Sequence, residues 1–401
     1  MNPIFPLPSY VKTALAVCER HAHEAYLVGG CVRDLLRGVT PADYDIAVSC
    51  PPEETERAFA GYRVIETGMK HGTVTVVIEG QNLELTTFRV DGSYADGRHP
   101  DRVTFTPALS ADLARRDFTV NAMAYHPAKG LVDLFGGQDD LQRGIIRCVG
   151  DPDARFTEDA LRILRALRFA SVLDFDVEAG TAAAVLRHKS RLAAVSAERK
   201  FTELKKLLAG RRVEALLTEF RPVFTEVLPE LDALSPEDYA AAAAAAGALA
   251  DPLLSFAALF RNLPCEAPDA ACRRLKTDNA FRKNACFLRE HLETPFVTPG
   301  RTRIFMGQYG REALSRLLRL REVLSDEDLS LPRRVLTETE AYPTTLGALA
   351  VNGTDLASIG VRGPALGQTL ALLLNAAAEG EVQNDRASLL QWAKDRAVET
   401  E

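Results

Sequence analysis

Residues 27–34 read Leu27-Val28-Gly29-Gly30-Cys31-Val32-Arg33-Asp34, an apolar strand signal that passes through two glycines into a helical pattern. Glycines let backbone N–H groups approach a phosphate closely, a helix N-terminus favours an anion, and Arg33 can add a charge-assisted contact. No Gly-x-Gly-x-x-Gly is present, so the run is not a dinucleotide-binding fingerprint. It predicts a phosphate-binding loop, and a strand-to-helix turn that simply needs small residues is the ordinary alternative.

Two aspartates follow a short way downstream, in Asp43-Tyr44-Asp45-Ile46-Ala47-Val48. Period-two alternation places Asp43 and Asp45 on one face of a strand and Tyr44 on the other. Two adjacent carboxylates suit Mg²⁺, which takes its other ligands from water and substrate phosphates. Asp-x-Asp is also common in solvated turns, but here it opens an apolar strand just after the predicted phosphate loop. Glu84, on a neighbouring predicted strand, is the candidate third ligand, with a solvent-facing glutamate as its alternative.

Around these motifs, residues 1–140 carry nearly all the strand signals. The β-branched run 72–78 and the alternating run 83–89 flank Gly80-Gln81-Asn82, which predicts a hairpin turn. Helical patterns lie around 9–22, 31–37, 53–60 and 110–117. Beyond Thr157, a predicted N-cap, one helix follows another, including an alanine-dominated helix over 239–249. The pattern predicts a mixed α/β unit followed by an elongated all-helical remainder.

Two arginine-rich runs complete the candidate site. The first is Arg115-Arg116-Asp117-Phe118-Thr119-Val120-Asn121-Ala122, where adjacent arginines can serve a polyanion and Asp117 and Asn121 can hydrogen-bond a ribose; an exposed charged surface is the alternative. In the second, residues 155–168, a polar residue recurs every three positions, at Asp159, Arg162, Arg165 and Arg168. This spacing predicts a polar stripe on one helix. Three arginines in one stripe repel one another unless an anion such as a triphosphate lies along them, and a surface Asp159–Arg162 pair is the alternative.

Composition sets the broad class of protein. The chain has 401 residues, 47% hydrophobic and 26% charged, which is typical of a soluble protein of several domains. Its seven cysteines are scattered, which indicates reduced cytosolic thiols rather than a zinc knuckle or a disulfide framework. Neither a secretory signal nor a membrane-spanning apolar run is present, so we expect a cytoplasmic protein without a membrane partner. The net charge of −7 argues against non-specific coating of nucleic acid but permits a local basic groove.

In their order and spacing, these blocks resemble the class II CCA-adding enzymes, the tRNA nucleotidyltransferases of the polymerase-beta-type superfamily, and among them the compact bacterial type. The matching blocks are the glycine loop, Asp43-Tyr44-Asp45, Arg98-His99-Pro100, residues 115–122, Glu158-Asp159-Ala160-Leu161-Arg162, and Ser196-Ala197-Glu198-Arg199 with Glu203-Leu204. Residues 349–356 and 380–384 resemble the tails of the compact type. The implied fold is α+β: a small mixed-sheet nucleotidyltransferase head (1–140), then an elongated all-helical neck for base recognition (141–210), body (211–275) and tRNA-binding tail (276–401).

The resemblance also implies roles for single residues. Asp43 and Asp45 would be the catalytic residues that hold two Mg²⁺ ions, Arg33 and Arg116 would contact the incoming nucleotide, and Arg165 and Arg168 would lie nearer its phosphates. The implied nucleotide-binding set is Gly29, Gly30, Arg33, Arg116, Asp117, Asn121, Asp159, Arg162, Arg165 and Arg168. The implied reaction is template-independent addition of C, C and A to tRNA from CTP and ATP, in which the tRNA 3′-hydroxyl attacks the α-phosphorus and pyrophosphate leaves.

Base selection by Asp159 and Arg162 has an independent physical reason. Cytosine N4 and adenine N6 are both amino donors, which a carboxylate can accept, and the adjacent ring nitrogen is an acceptor that an arginine can serve. Uracil and guanine present a carbonyl oxygen where the amino group should be. One Asp/Arg pair can therefore accept C and A and reject U and G without a nucleic-acid template.

The expected macromolecular partner is tRNA, bound through its acceptor and TΨC arms along the helical part, and a homodimer is possible. Basic side chains that fit recognition of an A-form stack by shape and backbone occur in two sets. These are Arg187, Lys189, Arg191, Arg199, Lys200, Lys205, Lys206, Arg211 and Arg212, and then Arg311, Arg316, Arg319, Arg321, Arg333 and Arg334.

Other functions stay open at this stage. A bacterial poly(A) polymerase shares the head and most motifs but often has a strongly basic C-terminal extension, whereas this chain ends Arg396-Ala397-Val398-Glu399-Thr400-Glu401. An A-adding tRNA nucleotidyltransferase is harder to exclude, while the complete segment 90–100 disfavours a CC-only enzyme. A catalytically inactive RNA-binding protein with the same fold is the alternative of another class, and the intact Asp43, Asp45, Arg33 and Arg162 count against it.

Overall fold

The strand signals of the N-terminal part form one mixed sheet. The computed structural model describes residues 5–66, 68–69, 72–92, 103–338 and 341–397. Its strands are β1 (Ala25–Val28), β2 (Asp45–Val48), β3 (Arg63–Ile65), β4 (Thr73–Ile78), β5 (Gln81–Thr87), β6 (Arg89–Asp91), β7 (Val103–Phe105), β8 (Met123–His126), β9 (Gly130–Asp133), β10 (Ile145–Ile146) and β11 (Asp176–Val177). Seven strands make the main sheet in the order β3-β4-β5-β2-β1-β8-β9, and β6–β7 and β10–β11 pair separately. Only β2 and β5 run parallel within the described main sheet.

Alternating burial along the strands explains how the sheet is held. Leu27 and Ile46 point to one face and join a cluster that also contains Val11 of the first helix. Tyr26 and Ala47 point to the opposite face and pack with a second group around Phe88. The sheet is therefore covered on both faces, and this fixes the strand ends that carry the candidate site.

The β4–β5 hairpin turns one residue earlier than predicted. Glu79 and Gly80 both have positive φ (54° and 76°), and Gln81 and Asn82 already belong to β5. Two consecutive positive φ values characterise the type I′ turns that match the twist of a two-residue hairpin. The register that follows places Glu84 opposite Asp45 on the parallel strand β2.

Helices surround the sheet and then make up most of the chain. The first eleven are α1 (Ser9–Arg20), α2 (Gly30–Leu36), α3 (Pro52–Ala58), α4 (Leu109–Ala114), α5 (Gly137–Arg143), α6 (Pro152–Glu158), α7 (Leu161–Leu173), α8 (Ala179–His188), α9 (Ala197–Leu207), α10 (Val213–Glu219) and α11 (Arg221–Val227). The others are α12 (Pro236–Leu249), α13 (Pro252–Leu259), α14 (Ala267–Arg274), α15 (Asn279–Glu290), α16 (Pro299–Tyr309), α17 (Arg311–Leu324), α18 (Ser330–Thr337), α19 (Gly353–Ser358), α20 (Pro364–Glu379) and α21 (Arg386–Ala397). The alanine-dominated helix is α12, as predicted.

The region around Thr157 folds differently from the expectation. Thr157 does not cap a helix but lies inside α6, which begins at Pro152 with Asp151 as its N-cap; the Asp151 side chain accepts a hydrogen bond from the Asp153 N–H. An aspartate followed by proline at the first helical position is a stronger signal for the start of a helix than a lone threonine is. The chain becomes extended at Asp159 (φ −139°, ψ 105°) before α7 begins. The predicted single helix is therefore two helices.

The chain divides into two compact units, Met1–Asp232 with Arg274–Lys276, and Ala233–Arg273 with Thr277–Glu401. The first contains the sheet, and the second is helical throughout its described residues, with a core that includes Leu356, Leu373 and Leu389. The finer division at 140, 210 and 275 stays a prediction. Among the described residues, no helix has the length and apolar character needed to cross a membrane.

Candidate active site

The predicted site residues come together around one cavity of about 490 Å³ in the first unit. Its lining is Gly29, Gly30, Arg33, Asp43, Asp45, Arg115, Arg116, Asp117, Asn121, Asp159, Arg162, Arg165, Arg168 and Phe169. Six arginines face four aspartates in this set, so cationic side chains outnumber carboxylates on the cavity wall, which suits a polyanion. Arg98-His99-Pro100 lies outside the described residues.

The glycine loop connects β1 directly to α2. Gly29 has φ 76° and ψ −135°, a conformation open essentially to glycine alone. A Cβ atom on Gly29 would lie 3.0 Å from Nη1 of Arg116, so the missing side chain also makes room for that guanidinium. The loop thus brings bare backbone and an arginine to the same wall of the cavity.

The two aspartates stand where β2 begins. Tyr44 between them is buried and packs edge-on against Tyr10, while Asp43 and Asp45 both line the cavity. Asp45 is the first residue of β2, but Asp43 lies in a bend before the strand, whereas the period-two pattern had predicted both within it. The Asp45 side chain faces the open space of the cavity, but the surrounding protein shields it from bulk water. This desolvation and the negative charges of Asp43 and Glu84 raise the pKa of Asp45 to about 6. Because the negative charge of Asp43 disfavours ionisation of Asp45, the pair is suited to a divalent cation, which would neutralise both carboxylates.

Glu84 does not line this cavity. It lies next to Asp45 in the β2–β5 register and lines a smaller neighbouring cavity of about 230 Å³ that Asp45 also borders. Among the described residues, no group of three or more His, Cys, Asp or Glu side chains is arranged to hold a metal ion. The Asp43–Asp45 pair would therefore need ligands from outside the protein, as a metal bound with a nucleotide has.

Asp117 and Asn121 form a buried connection between the loop and the helical segment. The Asn121 amide donates to Asp117 Oδ1 at 3.2 Å, and its oxygen accepts from Arg33 Nη1 at 2.8 Å. Asp117 Oδ2 accepts from Arg165 at 2.6 and 2.9 Å. Burial by itself raises the pKa of Asp117, but the Arg165 charge and these hydrogen bonds outweigh it and lower the pKa to about 2. Both side chains therefore orient arginines, a role the sequence did not reveal.

The residues of the predicted arginine stripe each have a carboxylate partner within the protein. Arg162 donates a hydrogen bond to Glu158 at 2.5 Å, and Arg168 forms an ion pair with the buried Glu203, with 2.6 Å between Nε and Oε2. The expected anion along these arginines is therefore supplied in part by the protein itself, by Glu158 four residues from Arg162 and by Asp117 and Glu203, which are distant in sequence. Asp159 does not share a helix with the arginines; its carboxylate accepts from the Leu161 N–H at 2.9 Å and from Arg199 at 2.8 Å.

Phe169 is a lining residue that sequence reasoning missed. Its ring lies 3.8 Å from the Arg168 guanidinium carbon, and the guanidinium carbons of Arg33 and Arg165 are each 5.3 Å from the ring centroid. A ring face attracts cations and separates three like charges at the same time. The only available signal was an aromatic residue directly after the last arginine of the stripe.

Several predicted tRNA-contacting residues are already engaged within the protein. Arg187 pairs with Asp153 at 2.8 Å and Arg212 with Asp176 at 2.5 Å, both on the surface. Arg321 is only 6% exposed and bonds to Glu327 and the Thr294 carbonyl, so its assignment to a nucleic-acid surface was wrong. The exposed members of the first basic set are Arg187, Arg191, Lys205, Lys206 and Arg211.

The chain is similar to known families over most of its length. The poly A polymerase head domain matches residues 25–147, the RNA and SrmB binding site of polymerase A matches 174–234, and tRNA nucleotidyltransferase domain 2 matches 254–393. The chain is 36% identical over 391 residues to a CCA-adding enzyme of Lactobacillus delbrueckii subsp. bulgaricus, covering 93% of this chain and 94% of that one. It is 38% identical over 411 residues to the CCA-adding enzyme of Geobacillus thermodenitrificans, covering 94% of each.

Solved structures show the same fold. The Bacillus stearothermophilus CCA-adding enzyme in complex with CTP superposes with a TM-score of 0.79 at 31% identity and 98% coverage of both chains. The Thermotoga maritima CCA-adding enzyme complexed with tRNA has a TM-score of 0.70 at 20% identity, covering 98% of this chain and 96% of that one. The likeness thus extends over both units rather than the sheet alone.

Proposed function

The chain belongs to the family of CCA-adding enzymes, and we propose that it adds C, C and A to the 3′ end of tRNA from CTP and ATP, releasing pyrophosphate. The observation that carries the proposal is the single cavity in which six arginines face the Asp43–Asp45 pair. The arginines supply charge for a triphosphate, and the carboxylates supply a place for divalent metal beside it. Since its partner would be tRNA, we also propose that the enzyme works in the cytoplasm.

The triphosphate would lie along the wall formed by the glycine loop and the arginines. Arg33 and Arg116 approach from the side of α2 and α4, and Arg165 and Arg168 from α7. Planar guanidiniums held by buried carboxylates are well suited to bidentate phosphate contacts, because their forks are already oriented. Most of the rate would then come from positioning and charge stabilisation, with few protein groups acting as acids or bases.

Asp43 and Asp45 are the residues that would hold Mg²⁺. The fit is chemical: two hard carboxylate oxygens face one cavity, and burial and mutual repulsion raise the pKa of Asp45. Bound there, the metal would lower the pKa of the attacking 3′-hydroxyl and offset charge on the leaving pyrophosphate. Glu84 is the candidate for a further contact through the smaller neighbouring cavity.

Asp159 and Arg162 would read the base. Each lines the cavity, and each is held by a partner, Arg199 for Asp159 and Glu158 for Arg162. An accepting carboxylate beside a donating guanidinium complements the amino group and ring nitrogen that cytosine and adenine share. Selection of C and A would then depend on side chains that are fixed before the nucleotide arrives.

Incubation with defined tRNA ends tests the function. A tRNA lacking its 3′ CCA is supplied with Mg²⁺, CTP and ATP, and the products are sequenced; addition of C, C and A is the expected result. Parallel reactions use a tRNA ending in CC with ATP alone, and a tRNA lacking CCA with CTP alone. Activity only on the tRNA that ends in CC would identify an A-adding enzyme. Long A tails would identify a poly(A) polymerase. Retained tRNA binding without any nucleotide addition would identify an inactive RNA-binding protein.

A further inference from the structure

Asp112, on α4, lies outside the motifs from which the site was predicted. Its side chain is fully buried, and it contacts both arginines of the Arg115–Arg116 pair. Oδ1 accepts from Arg115 Nε at 3.0 Å and Nη2 at 2.7 Å, and Oδ2 accepts from Arg116 Nη2 at 3.0 Å. One carboxylate therefore holds two adjacent guanidiniums at the wall of the nucleotide cavity.

Arg116 is constrained from both ends of its fork. Nη2 is bonded to Asp112, and Nη1 lies above the bare backbone of Gly29, 3.0 Å from where a Cβ atom would be. A guanidinium fixed in this way has little rotamer freedom left to lose when a phosphate binds. The Arg116 guanidinium is therefore held in one orientation before any ligand binds, unlike that of a flexible surface arginine.

The same carboxylate is connected to the base-reading side of the cavity. α4 ends at Ala114, and the carbonyl of the following residue, Arg115, accepts a hydrogen bond from Arg162 Nη2 at 3.1 Å. The Arg115 residue that Asp112 contacts through its side chain thus also contacts Arg162 through its carbonyl. Burial raises the pKa of Asp112, but the adjacent Arg116 and Arg115 charges outweigh it and lower the pKa, so the carboxylate is ionised at neutral pH.

We propose that Asp112 is a positioning residue for nucleotide binding, which holds Arg116 against the glycine loop in the orientation that receives the triphosphate. It touches no nucleotide itself and acts through Arg116. Because all triphosphates share this contact, Asp112 should affect CTP and ATP equally. This inference rests on the proposed nucleotide role of Arg116.

The test compares Asp112→Asn with a matched control, Asp140→Asn. Asp140 is also buried, and it also holds an arginine and a hydroxyl group, Arg147 and Thr119, but it does not line the cavity. We expect Asp112→Asn to raise KM for CTP and ATP by the same factor, about tenfold or more (~1.4 kcal/mol), with the ratio between the two nucleotides unchanged. Asp140→Asn should leave both KM values near wild type even if it lowers Tm to a similar extent.

A double-mutant cycle separates positioning from general damage. If Asp112 acts through Arg116, Asp112→Asn should cost little more in an Arg116→Met background, since the group it orients is already gone. Equal losses in both backgrounds, or KM changes no larger than those of Asp140→Asn, would overturn the proposal. If Asp112→Asn fails to fold, Asp112→Glu, which retains the charge but displaces the carboxylate, enters the same cycle with the same criteria.

Equilibrium binding of CTP, measured without tRNA, distinguishes this inference from the proposed function. A wild-type protein that binds CTP but adds nothing to tRNA would contradict the function and still allow Asp112 to be tested. A wild-type protein that adds CCA, with an Asp112→Asn variant that binds CTP as tightly as Asp140→Asn does, would contradict only the role of Asp112.

Discussion

Arg162 donates a 2.5 Å hydrogen bond to Glu158, the residue directly before Asp159. Asp159 and Arg162 are the two proposed base-reading residues, so the neighbour of the first holds the side chain of the second. Glu158 also pairs with Arg155 at 2.5 Å. It ends α6, and Arg162 lies in the first turn of α7, so the ion pair spans the break between the two helices. Removal of the Glu158 charge should therefore alter base choice without touching the triphosphate contacts.

We expect Glu158→Gln to narrow the preference for CTP and ATP over UTP and GTP by about tenfold, the equivalent of ~1.4 kcal/mol, because Arg162 loses a charge-assisted hydrogen bond and can rotate. The measurement is kcat/KM for each of the four triphosphates. Glu230→Gln is the control, since Glu230 forms a comparable 2.6 Å pair with Arg274 and does not line the cavity. Equal losses for all four triphosphates would show that Glu158 has only a structural role.

Asp159→Ala should lower the use of CTP and ATP while narrowing their advantage over UTP and GTP. A good bidentate contact with a base edge is worth ~1–3 kcal/mol of discrimination. Asp159 also accepts a hydrogen bond from Leu161 N–H at the start of α7 and pairs with Arg199, so the Tm of the variant must be recorded beside the kinetics. An unchanged ratio across the four nucleotides, with overall activity reduced, would assign Asp159 to the helix junction alone.

Substitution of either cavity-facing aspartate, Asp43→Ala or Asp45→Ala, should abolish nucleotide addition and leave tRNA affinity nearly unchanged. Both carboxylates belong to the metal proposal, whereas the predicted tRNA contacts lie on the helical part of the chain. Addition is followed by single-turnover kinetics and tRNA affinity by a binding titration. A loss smaller than about tenfold, only ~1.4 kcal/mol, would contradict the metal assignment.

The raised pKa of Asp45, about 6, gives a pH dependence with a definite sign. In the metal-free protein the native state holds this proton more tightly than the unfolded chain does, so stability falls as pH rises from 3.8, the ordinary pKa of the carboxyl, to about 6, its pKa in the native state. A divalent cation should reverse this effect, because it requires the ionised form. We therefore expect Mg²⁺ to raise Tm at pH 7.5 but hardly at pH 5. In Asp45→Asn the dependence of this Mg²⁺ effect on pH should largely disappear; its persistence would place the metal elsewhere.

Local patterns predicted the parts of the site that depend on neighbours in sequence. The glycine pair marks the passage from β1 to α2, and the closeness of Asp43 and Asp45 in sequence brings both to the start of β2, although only Asp45 belongs to the strand. The helix break at Asp159 was missed because no proline or glycine marks it. At the break Asp159 adopts an extended conformation, and its side chain accepts a hydrogen bond from Leu161 N–H at the start of α7. Without such a breaker, the pattern of residues 155–168 resembles one continuous amphipathic helix.

Long-range partners could not be predicted from spacing. Arg165 bonds to Asp117, 48 residues earlier, and Arg199 to Asp159, 40 residues earlier, so only the folded topology brings these groups together. Asp112 is close in sequence to the arginines it holds, but a buried ionised aspartate at the end of a short helix has no distinctive sequence pattern. Phe169 was missed for a related reason, since nothing in the sequence shows that three guanidiniums surround one ring.

The carboxylates that hold the cavity arginines in the nucleotide-free protein have a consequence for turnover. Because Asp112, Asp117, Glu158 and Glu203 already compensate these guanidiniums, departure of pyrophosphate would not leave uncompensated positive charge in the cavity. We expect an arriving triphosphate to share or exchange counter-ions with these carboxylates, and the leaving product to restore the original pairs. A catalyst that must fill and empty one pocket three times on each tRNA thereby returns to a relaxed resting state after every addition, at the cost of a more modest affinity for each nucleotide.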